Sequence, residues 1–432
     1  MSVVVPKGWN PQNLKNRSWV TGADTSEFPV QNLPYGVFST SNGSKKVGVA
    51  IGDFVIDVSK LLQNISSFSH SDILVSAFLS DSINSFMGLG KQVTGLFRQE
   101  LSFVFSTENN DKSIREKAEE CLLKLSEVSL HLPVRVADYV DFYSSEEHAT
   151  NVGKMFRDPD NALLPNWKHI PIGYHGRSST IVASGTSVRR PVGQRVAKAG
   201  EAPRFEPCKA LDFELEVGFV VGKETEVGER VSTDQAKDYI FGICMVNDWS
   251  ARGIQKWEYV PLGPFLGKSF ATTISHWIVP LEAFENFWVE GPKQNPKVLP
   301  YLEFTGPQNI NMNLVAQLKP KGSAEYTNIC ETNFSGMYWN MAQQLTHLSS
   351  NGSKLSIGDL CASGTVSGPT KGSFGSLLEI SWGGKEPLQL SNGETRTYIL
   401  DGDSLNVVGY CEKDGVKIGF GPCEGLVTQS EI

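Results

Sequence analysis

Turn dipeptides cut this chain into short segments, and that punctuation limits its fold more than any single motif. Asn392-Gly393, Asp401-Gly402 and Asp414-Gly415 recur at roughly ten-residue spacing near the C-terminus, an all-β signal. Asn42-Gly43 interrupts the β-branched run "YGVFSTSNGSKKVGVAIGDFVIDVSKLL" (35–62), which reads as hairpin-linked strands. The segments 86–101 and 110–128 are both periodic enough for helices, and Pro133 marks a boundary beyond which Gly, Pro, aromatics and short β runs dominate. At 432 residues the chain exceeds the size at which one core stops growing. The expectation is an N-terminal β domain with a helical connection over 1–133, and a mainly β domain with inserted helices over 134–432.

Several function classes are disfavoured at once. The formal net charge of −8 opposes a broad grip on nucleic acid or an anionic membrane, and no stretch approaches the length of a membrane span. The seven cysteines are scattered, with no C-x-x-C pair, which fits reduced thiols in a cytoplasmic protein and offers no zinc cluster. The leading "MSVVVPKGWNPQNLKNRSW" lacks the apolar core of a secretory signal. "GPFLGKS" (263–269) places three residues between its glycines where a phosphate loop needs four, so no nucleotide cofactor is expected. Neither H-e-x-x-H nor G-x-S-x-G occurs.

Three stretches carry chemistry. In "DFELEVGFVVG" (212–222), Phe213, Leu215, Val217 and Phe219 alternate with Asp212, Glu214, Glu216 and Gly218, the period of a strand. Glu214 and Glu216 then share a face, roughly 7 Å apart. That face is either solvated or a pair of carboxylates aimed at a cation, because like charges in one site repel unless protonated or neutralised. If Asp141 and Asp248 converge there, the set is all oxygen and suits Mg²⁺ or Ca²⁺. In "DFYSSEEHATNV" (141–152), Ser144 and Glu147 fit a capping box, which places His148 in the first turn of a helix. The residue is then either a neutral general base or a histidine on a surface helix. In "NDWSARGIQKWEYVPLGPFLGKSF" (247–270), Asp248, Arg252, Gln255 and Tyr259 would share a helical face that runs into a Gly/Pro-rich loop bearing Lys268.

These stretches resemble the fumarylacetoacetate hydrolase family. The likeness also includes "FPVQNLPYGVF" (28–38), "NALLPNW" (161–167), "PIGYHGRSS" (171–179), "CASGTVSGP" (361–369) and "FGSLLEISW" (374–382), and it covers nearly the whole chain from about residue 28. The resemblance implies a small SH3-like N-terminal barrel, a large C-terminal β-roll and a homodimer. The implied reaction is metal-dependent hydrolysis of the carbon–carbon bond of 4-fumarylacetoacetate, the last step of tyrosine and phenylalanine breakdown. Matched by position, Asp141, Glu214, Glu216 and Asp248 would be ligands of Mg²⁺ or Ca²⁺, and Lys268 and Thr272 would lie at a further Mg²⁺ site. His148 would be the general base oriented by Glu379, and Arg252, Gln255 and Lys268 would stabilise developing charge. Tyr143, Arg157, Tyr174, Gln255, Tyr259 and Thr365 match substrate-contacting positions. Gly253 stands where the family has Asp. Fumarylpyruvate hydrolases and β-keto acid decarboxylases or tautomerases of the same superfamily share the metal residues and form the alternative reading. A Ca²⁺-stabilised β module without activity would leave His148 and Lys268 unexplained.

Overall fold

Strands and tight turns form where the dipeptides predict them. The computed structural model describes residues 3–198 and 200–431. Asp414 (φ 52°) and Gly415 (φ 75°) both adopt left-handed backbone and close the hairpin between Ser404–Lys413 and Val416–Gly419. Gly393 (φ 89°) does the same between Leu388–Gln389 and Thr395–Arg396. The fold is mainly β, with helices inserted between strands.

The largest sheet has 13 strands. Its main path runs Leu122–Lys124, Phe54–Ile56, Lys46–Ile51, Tyr35–Ser39, Trp277–Pro280, Ile240–Asp248, Leu215–Val221, Leu360–Ala362, Tyr139–Phe142 and Gly173–His175. Strand Tyr35–Ser39 pairs with Trp277–Pro280 through Tyr35–Ile278 and Gly36–Trp277, so hydrogen bonding continues from the N-terminal hairpins into the later strands. A six-stranded sheet built on Ser404–Lys413 and Asn313–Lys319 packs beside it. Strand Leu215–Val221 is buried on both faces, as the centre of such a sheet must be. The solvated-face reading of 212–222 is therefore wrong.

Two helical expectations need correction. The 86–101 segment is split into Asn84–Met87 and Lys91–Val104 by Gly90 (φ 82°). In 110–128 the α-helix is confined to Lys112–Glu119, with a single 3-10 turn at Leu125–Glu127, because Leu122–Lys124 is taken by the sheet edge and pairs with Phe54–Ile56. Apolar periodicity could not see that edge.

The seam between early and late strands requires a residue without a side chain. A Cβ on Gly36 would lie 2.5 Å from the Trp277 ring and 2.8 Å from the His276 carbonyl oxygen. Gly36→Ala should therefore cost about 1–3 kcal/mol of stability through overpacking, read as a lower urea midpoint. An unchanged midpoint would show that the strands can separate without loss.

Candidate functional site

Three strands of the large sheet, two of them adjacent and the third one strand away across Leu360–Ala362, bring four acids together. Asp141 lies on Tyr139–Phe142, Glu216 on Leu215–Val221 and Asp248 at the end of Ile240–Asp248, with Glu214 just before its strand. All four are buried, and one oxygen from each lies within 4.8 Å of the others. Asp248 is thus a strand residue, and the helix that follows spans only Arg252–Glu258. The expected four-residue helical stripe reduces to Arg252 and Gln255, with Tyr259 at the helix end and about half exposed.

Cations and donors ring this cluster. The Lys268 ammonium donates to Asp248 Oδ2 at 2.5 Å and also to Glu214. Arg252 Nη1 pairs with Glu214 Oε1 at 2.8 Å and donates to Gln255 Oε1 at 3.3 Å. Thr272 Oγ1 donates to Asp248 Oδ1 at 2.9 Å, and Tyr174 to Asp248 Oδ2 at 3.1 Å. The Gly364 amide donates to Glu216 Oε2 at 3.1 Å, next to the buried Thr365. Lys268 reaches the cluster because its loop folds back tightly. Gly267 N donates to Glu258 Oε1 at 2.6 Å, and a Cβ there would sit 2.6 Å from that of Gln255.

Positive charge nevertheless falls short. Two buried cations, Lys268 and Arg252, face the four clustered acids and Asp212. Burial and then the Asp248 charge hold Asp141 well above the ordinary carboxylate range. Burial, followed by Asp141 and Asp248, does the same to Glu216. Burial also pushes Glu214 upward, but Lys268, Arg252 and His148 outweigh it and leave this acid below its usual range. Asp141 Oδ1 and Glu216 Oε1 are buried without any hydrogen-bond partner. Orphaned carboxylate oxygens with unneutralised charge suit a hard divalent cation, and Asp141, Glu214, Glu216 and Asp248 could hold one. The Lys268 ammonium has no lone pair to offer, so a cation contact from Lys268 would use backbone oxygen, whereas the Thr272 hydroxyl can donate to Asp248 and still present a lone pair.

Beside the cluster lies a histidine–carboxylate pair. His148 is buried in the first turn of helix Glu146–Phe156, which Ser145, not Ser144, caps by accepting from the His148 amide at 3.2 Å. Ser144 instead accepts from Gln344 at 2.9 Å, so the cap lies one residue later than expected, and the third helical position is His148 where a capping box needs Glu or Gln. His148 Nδ1 meets Glu379 Oε2 at 2.7 Å. Burial pushes the Glu379 carboxyl up, but contact with His148 and bonds from Asn151 and Ser376 bring it below its usual range. An ionised carboxylate only accepts, which assigns a proton to Nδ1, so that the neutral form of the ring has Nε2 as its acceptor. Ser367 and Ser376 each donate to Glu379 Oε2 at 2.9 Å, and Asn151 to Oε1 at 2.9 Å. The Tyr143 ring packs edge-on to His148, with centroids 5.4 Å apart.

The remaining expected residues divide. Tyr174 and Lys268 line a cavity of about 220 Å³ with Tyr139, Arg177 and Phe265. Arg157 ends the His148 helix, and its guanidinium binds the Ala162 carbonyl at 2.6 Å and 3.0 Å. Sequence reasoning missed the serines that hold Glu379, although Ser376-x-x-Glu379 carries a capping signature. It also left Asp212 undecided. Gly253 carries no steric requirement, since a Cβ would meet Arg195 at 3.6 Å and Cys208 at 3.8 Å.

Family models match almost the entire chain, Fumarylacetoacetase N-terminal over 31–133 and Fumarylacetoacetate (FAA) hydrolase C-terminal over 138–428. The chain belongs to the fumarylacetoacetate hydrolase family. It is 48% identical over 418 residues to the Homo sapiens fumarylacetoacetase, covering 95% of this chain and 98% of that one. The Caenorhabditis elegans fumarylacetoacetase is 46% identical, with 96% and 100% covered. Among solved structures, a fumarylacetoacetate hydrolase from psychrophilic Exiguobacterium antarcticum matches with a TM-score of 0.52 at 16% identity, covering 92% of this chain and 99% of that one, a likeness of fold.

The raised carboxyls have a measurable consequence. A cation that binds Asp141 and Glu216 as carboxylates must displace their protons, so divalent-ion affinity should rise with pH, by up to about tenfold per unit for each proton released. Calorimetric titration with Ca²⁺ in buffers of different ionisation enthalpy would count those protons. Affinity independent of pH, with no proton release, would contradict the arrangement.

Proposed function

We propose that this protein hydrolyses the carbon–carbon bond of 4-fumarylacetoacetate to fumarate and acetoacetate, the closing step of tyrosine and phenylalanine breakdown. Curated relatives of that name cover nearly the full chain and support the reaction. The observation that carries the mechanism is the buried four-carboxylate cluster beside the His148–Glu379 pair. The cluster would hold Mg²⁺ or Ca²⁺, which as a Lewis acid supplies polarisation of a diketone and stabilisation of the enolate formed from it. No nucleotide or organic cofactor enters this reading.

The chain's own groups do the rest. Neutral His148, its Nδ1 proton held by Glu379, takes a proton from water at Nε2. Arg252, Gln255 and Lys268 supply fixed donors where negative charge develops, and burial strengthens Lys268 most. Arg252 Nη2 is buried without a partner, which leaves that N–H free for the substrate. Tyr143, Tyr174, Tyr259 and Thr365 would contact the substrate. Arg157 would capture a carboxylate after releasing Ala162, in the bidentate manner that suits guanidinium.

The same reading takes residues 1–133 as a small domain with an SH3-like barrel and 134–432 as a β-roll, and the break between the two family models supports that division. It takes the protein as a cytoplasmic homodimer acting on a small diketo acid, without nucleic-acid or membrane partners. Among the described residues no helix is long and apolar enough to cross a membrane.

Turnover of fumarylacetoacetate, followed by loss of the diketone absorbance, should need added Mg²⁺ or Ca²⁺ after chelation. Full activity after rigorous metal removal would overturn the mechanism, and preference for fumarylpyruvate or a β-keto acid in a substrate panel would favour the superfamily alternatives. His148→Ala should lower kcat by about 10²–10⁴-fold, the range for loss of a general base, while Ca²⁺ affinity persists. An active variant would remove His148 from that role.

A further inference from the structure

Asp212 sits between the two halves of the site and touches neither the cluster's free oxygens nor the histidine. It is fully buried, on a short strand Leu211–Asp212 that pairs with Ser250–Ala251 just before the Arg252 helix. Its Oδ1 accepts from the amides of Phe213 at 2.8 Å and Leu377 at 2.7 Å. Its Oδ2 accepts from the Leu378 amide at 2.9 Å and from Arg252 Nε at 2.8 Å. Four donors thus converge on a group with about four lone-pair sites, a match that no neutral side chain of this size reproduces.

Each contact has a direction. Asp212 takes Arg252 Nε while Glu214 takes Nη1, and this two-point hold fixes the plane of the guanidinium. Nη2 is then the buried N–H without a partner. On the other side, Leu377 and Leu378 are the first two residues of the helical turn Leu377–Ile380 that carries Glu379. Glu379 in turn orients His148.

We infer that Asp212 is a positioning residue that locks the Arg252 guanidinium and the Glu379 turn into one fixed relation, linking the charge-stabilising half of the site to the proton-transfer half. The inference rests on the reaction proposed above. A carboxylate at this position therefore serves geometry that neither Arg252 nor Glu379 secures alone.

The test uses the full-length protein carrying Asp212→Asn. The amide keeps one acceptor oxygen but turns an NH₂ toward the Leu378 and Arg252 donors. The expected result is a kcat loss of about 10–100-fold, the usual range for supporting groups, with Ca²⁺ affinity and KM within about threefold of the parent. Amide exchange read by mass spectrometry should quicken in 376–380 and 250–258 and stay unchanged in Leu215–Val221. Combined with Arg252→Lys, the two losses should be less than multiplicative. An unchanged kcat, multiplicative losses, or a fall in kcat matched by equal loss of Ca²⁺ affinity would each overturn the inference. If Asp212→Asn does not fold, Asp212→Glu keeps the charge and shifts the carboxylate by one methylene, and undiminished kcat there would overturn it equally. Failure of the parent protein to turn over fumarylacetoacetate would refute the proposed reaction instead, and the exchange pattern would still decide whether Asp212 holds both segments.

Discussion

Repulsion among buried carboxylates is the constraint from which the rest of this structure follows. Asp141, Glu214, Glu216 and Asp248 crowd within 4.8 Å in a region closed to water, where like charges interact strongly. Such a group is tolerable only if its members are protonated, paired with cations or ligated to a metal. The protein uses pairing for one side and leaves the other unpaired. Glu214 has a cation on each oxygen, Arg252 and Lys268, whereas Asp141 and Glu216 keep oxygens that no donor reaches.

The surrounding backbone is shaped to deliver those donors. Gly267 allows its loop to lie against Gln255, which brings Lys268 back over the cluster. Gly364 adopts φ 79°, and a Cβ there would lie 2.2 Å from the Phe142 carbonyl oxygen. That turn aims its amide at Glu216 and sets Thr365 beside it. Both glycines sit where chain meets chain too closely for a side chain, so their role is access and not flexibility.

Much of this was legible in the sequence, for definable reasons. Period-two alternation located the strand bearing Glu216, and Asn42-Gly43, Asn392-Gly393 and Asp414-Gly415 located hairpins, whereas Asp401-Gly402 is a turn between strands that do not pair with each other. What failed was non-local. Asp248 fits a helical spacing with Arg252 and Gln255, yet it pairs with Thr272 at a strand end, since sheet hydrogen bonding overrides a short polar periodicity. The solvated reading of the 212–222 alternation failed for the same reason, because nothing in eleven residues reports that both faces will be covered. Ser145 took the cap expected of Ser144 because Ser144 is held by Gln344, 200 residues away. Arg157 illustrates a different limit, since residue type shows that it can bind a carboxylate but not that Ala162 already occupies it.

The two halves of the site make opposite electrostatic demands. Proton transfer at His148 needs an ionised Glu379, and four side chains at that acid keep it so against complete burial: His148, Asn151, Ser367 and Ser376. The cluster instead needs carboxylates left short of donors, since any donor that satisfied Asp141 or Glu216 would compete with a cation. One protein interior can satisfy both only if donors are distributed unevenly and kept from migrating. Arg252 is the group most able to blur that distinction, because its three nitrogens could reach several acids. Tying Nε to Asp212 and Nη1 to Glu214 removes that freedom, and the uneven charge distribution becomes a property of the fold.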